Sequence, residues 1–202
     1  SAATKGVKKP AYIVIDRNAT MAMPIVDEIE AAHGPEETIF ISEEEALDMM
    51  TQRSLVIVVD THSPDFVESK ELLNEAQRVV VIDHHRMMVK HINNAVVFYH
   101  EPYASSASEM VSELVQYIGN TVLSKEEADA LLAGIMLDTK NFVLKSGVRT
   151  FEAAAYLRRR GADTVVVKKM FASNIDTYKE KYSLISTAEV YNGCAIACTD
   201  ES

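Results

Sequence analysis

The chain has 202 residues and a net charge of −10, with 48% hydrophobic and 25% charged residues, room for one large domain, or one domain with a short appendage, around an ordinary globular core. The longest aliphatic stretches, Leu55 to Val59 and Val79 to Ile82, fall far short of the ~20 residues of a membrane span. Ser1 to Lys9 is small and basic with no apolar run behind it, so no signal peptide is legible and a soluble chain is expected.

In chain order, Tyr12–Asp16, Thr38–Ile41, Leu55–Asp60, Val79–Asp83 and Ala95–Tyr99 read as strands, several apolar on both faces. Helical stretches lie between them near Met21–His33, Glu43–Gln52 and Asp65–Gln77, the second opened by a Ser42/Glu45 capping box. Strands buried on both faces, alternating with helices, predict an α/β fold with a doubly wound, open parallel sheet. After Glu101 the chain turns helical. Ser106/Glu109 and Ser124/Glu127 read as further capping boxes, and Thr150 as the cap of a helix running to Arg160 and closed by Gly161. Arg158, Arg159 and Arg160 fall in that helix's last turn, where the helix dipole accounts for them without a nucleic-acid patch. Two more helices are expected over Asp163–Ala172 and Ile175–Val190. Cys194 and Cys198 then lie in one strand, roughly 13 Å apart and beyond disulfide reach, so reduced, buried thiols of a cytosolic chain are expected. That strand has no evident partner after it.

Charge is uneven. Residues 20 to 75 carry 14 acidic against 2 basic side chains, and residues 139 to 182 carry 10 basic against 4 acidic. Solvated helix faces of opposite sign account for this. The sharper reading is a basic segment facing an anionic ligand or a second domain.

Three aspartates end hydrophobic elements: Asp60, Asp83 and Asp138. Ligands of open α/β sheets bind at the carboxyl ends of the strands, which places Asp60 and Asp83 at one crevice. Turns alone favour aspartate, but here His84 and His85 follow directly. Carboxylate oxygens mixed with imidazole nitrogens suit Mn²⁺, Fe²⁺ or Zn²⁺, and the lack of nearby thiolates argues against a structural zinc cluster. The competing reading makes Asp83 and His84 turn residues bonded to backbone. His62 is assigned to a surface loop, with a supporting place behind the metal as the alternative. His33 reads as a helix-end charge, and His91 and His100 show no constellation around them. Met87 and Met88 are ascribed to apolar packing. No Gly-rich phosphate loop occurs among the 7 glycines.

Val-Val-Asp60-Thr-His-Ser, Ile-Asp83-His84-His85, Pro102 to Met110, Leu132 to Phe142 and Gly147 to Ala153 together resemble the DHH phosphoesterase superfamily. The resemblance is to its cyclic-di-AMP phosphodiesterases, membrane-anchored bacterial proteins ending in a DHH and a DHH-associated domain. It implies that Asp60 bridges two metals, usually Mn²⁺, that His84 and Asp138 are further metal ligands, and that catalytic His85 faces the substrate phosphate. Asp83 would orient the histidines. Ser105 and Ser106 fall in a family stretch near the cleft, though capping alone accounts for them. Residues 1–190 would be an N-terminally incomplete DHH domain, and 191–202 the start of a truncated associated domain. The family's His-x-x-x-Asp-x-Asp motif finds no match before Tyr12, so at most a partial metal site and little activity are expected of this piece. The implied partners are a cyclic dinucleotide substrate and the rest of the parent chain, with a homodimer allowed. The implied location is a cytoplasmic domain of a protein anchored in the bacterial membrane.

Rival activities are oligoribonuclease, RecJ-like exonuclease and pyrophosphatase. Rival classes are a non-catalytic nucleotide-binding regulatory module and a metal-free flavodoxin-like domain.

Overall fold

β-Branched runs become short parallel strands in the computed structural model, which describes residues 9–18, 20, 22–33, 38–118, 121–171 and 182–197. The chain forms two compact units, Ser1–Val167 and Lys168–Ser202. In the first unit β1 (Ile13–Val14) pairs in parallel with β2 (Phe40–Ile41). A second parallel ladder runs β3 (Val56–Val59), β4 (Val79–Asp83), β5 (Val97–His100), with β4 in the middle. The expected parallel α/β architecture holds, with the strands divided between these two ladders.

Burial follows the period of two. Val79, Val81 and Asp83 of β4 are buried, and Val79 and Val81 pack with Val58 of β3, Ile92 and Leu73 of α3 (Lys70–Glu75). Full burial of an aliphatic side chain is worth about 1.5–3 kcal/mol, so this face anchors the strands whose ends carry the candidate site. A second cluster joins Val26 of α1 (Met23–His33) to Ile39 and Phe40. Ser42 and Glu45 make a complete capping box on α2 (Glu43–Met49).

Helix α3 is shorter than the expected Asp65–Gln77. Side-chain oxygens of Thr61 and Ser63 capture the backbone N–H groups of Ser63 and Asp65, holding a turn until Ser69 caps the helix. The β4–β5 connection has no helix. It runs irregularly from His84 to Val96, tied midway where the Ile92 N–H donates to the His62 carbonyl at 2.8 Å.

Helices α4 (Ala107–Leu114), α5 (Lys125–Asp138) and α6 (Val148–Arg159) pack against one another. A Cβ placed on Gly134 of α5 would come 2.9 Å from Ser108 Cβ, so this glycine sets the α4–α5 approach. The Ser106/Glu109 box forms only by half. Ser106 accepts from the Glu109 N–H, but the buried Glu109 carboxylate accepts from Ser105 N–H, Ser105 Oγ and Thr150 Oγ1 instead. Thr150 is accordingly not the cap: it sits inside α6, whose cap is Gly147, and its hydroxyl also accepts the Gly147 N–H. Gly161 ends the helix region at φ 101°, the left-handed position glycine favours. Helix α7 (Thr164–Met170) follows.

In the second unit, residues 182–186 are helical, and residues 172–181 lie outside the described residues. The helix expected through Val190 gives way to strand β6 (Glu189–Tyr191), antiparallel to β7 (Cys194–Ile196). Asn192 and Gly193, both at positive φ, form the turn, and Asn-Gly is the strongest short hairpin signal a sequence offers. The partner of the Cys194 strand thus precedes it. Cys194 is free and exposed, against the expected burial, and Cys198 lies outside the described residues. No helix among the described residues is long and apolar enough to cross a membrane.

Candidate metal centre at the strand ends

Parallel pairing in the register Val59↔Ile82 brings the C-terminal ends of β3 and β4 side by side, so Asp60 and His84 leave the sheet at the same edge. Asp60 turns the chain with φ 69°, a left-handed conformation that aspartate adopts more readily than most side chains. Helix α5 ends at Asp138, and the three groups meet: His84 Nε2 lies 3.3 Å from Asp60 Oδ1 and 3.5 Å from Asp138 Oδ2.

His84 decides what this meeting is for. Its Nδ1 donates to the Ala104 carbonyl at 3.3 Å, leaving Nε2 as the side facing the carboxylates. That Nε2 is buried without a hydrogen-bond partner. Two ligands about 2.1 Å from one ion, at ordinary coordination angles, stand about 3.0–3.4 Å apart, close to the spacing here. Metal-binding histidines characteristically donate their other N–H to a carbonyl or carboxylate. Asp60, His84 and His85 each place a ligand-type atom within 4.8 Å of the others, a spacing that fits a divalent cation, and Asp138 Oδ2 stands 3.5 Å from His84 Nε2 beside them. The Asp60 carboxylate, 3.3 Å from Nε2, raises the His84 pKa against the opposing effect of burial. Burial, with the Asp60 charge second, raises that of Asp138.

Asp83 lies fully buried behind the site. Its Oδ1 accepts the backbone N–H of His84 at 2.9 Å, that of His85 at 3.2 Å, and His85 Nδ1–H at 2.8 Å; Oδ2 accepts from His62 Nδ1. Burial works to raise its pKa, but the bonds from His85 and His62 prevail and hold it low. His85 Nδ1 is also 3.9 Å from Asp60, yet its hydrogen is committed to Asp83, so Nε2 is the atom left open.

A cleft of about 620 Å³ opens in front, lined by His84, His85, Arg86, Tyr103, Asp138 and Lys145 among others. Lys145 comes from a tight loop after α5 in which Lys140, Asn141 and Phe142 all take positive φ. Thr139 hooks this loop, its hydroxyl donating to the Ile135 carbonyl and accepting the Phe142 N–H. Of the basic segment, Lys145 faces the cleft, whereas Arg149 is neutralised by Glu113 and Glu101, which raise its pKa.

The geometry brings Asp60, Asp83, His84, His85 and Asp138 together. It corrects three smaller expectations. His62 is no surface histidine: it is 1% exposed and bonded to Asp83. His100 does have a constellation, since it joins His62 and Asp83 within 4.8 Å and its Nε2–H donates to the His85 carbonyl at 2.6 Å. Met87 and Met88 are each more than 40% exposed rather than packed. Ser105 lines the cleft, but its hydroxyl is spent on Glu109. Arg86, Tyr103 and Lys145 went unnoticed in the sequence, where an isolated cation or aromatic carries no pattern.

Residues 10–135 match the DHH family, N-terminal domain. The chain is 42% identical over 195 residues to the cyclic-di-AMP phosphodiesterase PdeA of Listeria monocytogenes, covering 95% of this chain and 30% of that protein. It is 49% identical over 164 residues to the cyclic-di-AMP phosphodiesterase GdpP of Geobacillus thermodenitrificans, covering 80% of this chain and 25% of that protein. The chain thus spans less than a third of these relatives. An exopolyphosphatase-related protein from Bacteroides fragilis shares the fold, with a TM-score of 0.66 at 18% identity over 93% of this chain and 64% of that one. The chain belongs to the DHH family.

Proposed function

We propose that this chain is the first lobe of a metal-dependent phosphodiesterase that, in the full-length protein, hydrolyses cyclic-di-AMP to pApA. The observation carrying this reading is the buried, partnerless His84 Nε2 facing the carboxylates of Asp60 and Asp138. Asp60, His84 and Asp138 would hold a divalent cation, and their oxygen and nitrogen donors suit manganese. The ion would supply positive charge to a phosphoryl oxygen and lower the pKa of a water molecule.

The chain's own residues supply the rest. When protonated, His85, held through Nδ1–H by Asp83, donates Nε2–H to a non-bridging phosphate oxygen. Arg86 and Lys145 attract the anionic substrate to the cleft, and Tyr103, 95% exposed, offers a face for a base to stack on. In the reaction a water oxygen bonds to phosphorus while the bond from phosphorus to the 3′ oxygen breaks. The 3′ oxygen takes up a proton and the 5′-phosphate stays on the linear product.

Three ligands furnish one partial site. The remaining ligands of a second ion belong, on this reading, to a His-x-x-x-Asp-x-Asp motif elsewhere in the full-length protein, whose DHH-associated domain begins near residue 191. The full-length protein would be anchored in the bacterial membrane with this lobe in the cytoplasm. The test measures manganese binding and hydrolysis of cyclic-di-AMP, pApA and pyrophosphate by this chain and by a form extended through that motif. Only the extended form should turn over cyclic-di-AMP, faster than the other two compounds. Equal turnover by both forms, or pyrophosphate as the best substrate, would overturn the reading.

A further inference from the structure

Behind the cleft, His62, Asp83 and His100 each place one ligand-type atom within 4.8 Å of the others, a spacing a metal ion would accept. Their hydrogen bonds point elsewhere. His62 is 1% exposed, and both of its ring nitrogens are engaged. Nδ1 meets Asp83 Oδ2, and Nε2 meets the Met88 backbone N–H at 2.9 Å. A carboxylate only accepts and an amide N–H only donates, so Nδ1 carries the hydrogen, Nε2 uses its lone pair, and the ring is neutral. His100 Nε2–H is likewise committed to the His85 carbonyl.

We propose that His62 is a positioning residue for His85, clamping residue 83 with one ring nitrogen and residue 88 with the other. The segment between these two bonds carries His84, His85 and Arg86. It opens a β4–β5 crossover with no helix of its own, so its shape depends on such side-chain bonds. The link to His85 passes through one carboxylate: Asp83 Oδ2 takes the His62 bond, and Oδ1 takes His85 Nδ1–H at 2.8 Å. A carboxylate pinned at both oxygens cannot rotate, which fixes the plane and the tautomer of the His85 ring. Without His62, Oδ2 and the Met88 N–H would lose their partners, and Asp83 could turn. A misplacement of about 1 Å at a reacting group can cost on the order of 100-fold in rate.

This inference rests on His85 facing the phosphate, so its test includes a readout that needs no turnover. His62→Leu removes both bonds, His62→Asn keeps a donor near the place of Nδ1–H, and His62→Gln keeps an acceptor near the place of Nε2. Histidine nitrogen NMR spectra of the metal-free chain report the ring tautomers. The same substitutions in the full-length protein report kcat, KM and bound manganese. In the unsubstituted chain His62 and His85 should each show the Nδ1–H tautomer alone. In His62→Leu the His85 signals should become a mixture. kcat should fall about 10–100-fold, while KM and manganese content change little. His62→Asn should restore the single His85 tautomer and most of kcat, and His62→Gln should not.

An unchanged His85 spectrum in His62→Leu would overturn the proposal. So would loss of one bound ion on substituting His62, which would make the group a metal site. Equal falls in kcat for all three variants, in step with their thermal midpoints, would reduce His62 to a structural role. Should the leucine variant fail to fold, the asparagine and glutamine variants decide, and glutamine restoring His85 better than asparagine would refute the idea. If the full-length protein hydrolyses no phosphodiester, the function reading fails, and the spectra still test the clamp.

Discussion

Two histidine–carboxylate groups sit at the C-terminal end of β4, and they differ in what their nitrogens are doing. In the group of Asp60, His84 and Asp138, the inner ring nitrogen is buried and unpartnered beside two carboxylates. In the group of His62, Asp83 and His100, both nitrogens of His62 and the inner carboxylate are bonded within the protein. Residue type alone would make either group a metal site. Satisfaction separates them: the first lacks a positive partner, and the second lacks nothing. Burying an unpaired nitrogen beside carboxylates is costly, and a cation removes that cost where a closed hydrogen-bond network has none to remove.

The sharpest way to break the comparison is to substitute the adjacent histidines. His84→Ala should weaken manganese binding by more than about 100-fold, since outer partners of metal ligands alone cost about 10–100-fold. His85→Ala should leave metal content nearly unchanged while lowering turnover of the full-length protein by about 10²–10⁴. Calorimetric titration with manganese beside steady-state kinetics reads both. Equal metal loss in the two variants would mean that their roles are misassigned.

A smaller effect should come from a residue that touches neither group. A methyl group on Gly134 would meet Ser108 Cβ at 2.9 Å, so Gly134→Ala must push α5 from α4 and displace Asp138 at the helix end. Overpacking of this kind costs about 1–3 kcal/mol. Thermal unfolding should register that loss, and manganese affinity should fall with it. Intact affinity would show that Asp138 is not placed by α5 packing.

The mildest expected effect is of pH. The fold raises the pKa of His84, through the neighbouring Asp60 carboxylate, and that of Asp138, through burial. Both groups thus bind protons better folded than unfolded. The metal-free chain gains stability from them at low pH and loses it as pH rises through the Asp138 range and then the His84 range. Metal binding runs the other way, because the ligands must shed those protons. Manganese affinity should rise with pH across the same interval, with roughly one to two protons released per ion. Affinity independent of pH through the raised histidine range would remove His84 from the ligand set.

The sequence by itself determined the strands, the parallel pairing of β3 with β4 and the residue types that meet at their ends. Val79–Asp83 is apolar on both faces, which only a covered central strand tolerates, and aspartates ending two neighbouring strands must emerge at one edge. The Asn192-Gly193 hairpin is equally legible, although the helical spacing before it points on to Val190. Tertiary structure alone decided the closed group. His62 lies two residues past Asp60, where sequence offers only a loop histidine, and its burial depends on the β4–β5 crossover folding back over it. Glu109 follows the same logic: its spacing from Ser106 predicts a capping box, but burial beside Thr150, 41 residues away, diverts its carboxylate. Spacing along the chain can specify which groups are near in sequence, while hydrogen-bond satisfaction depends on partners that only long-range packing delivers.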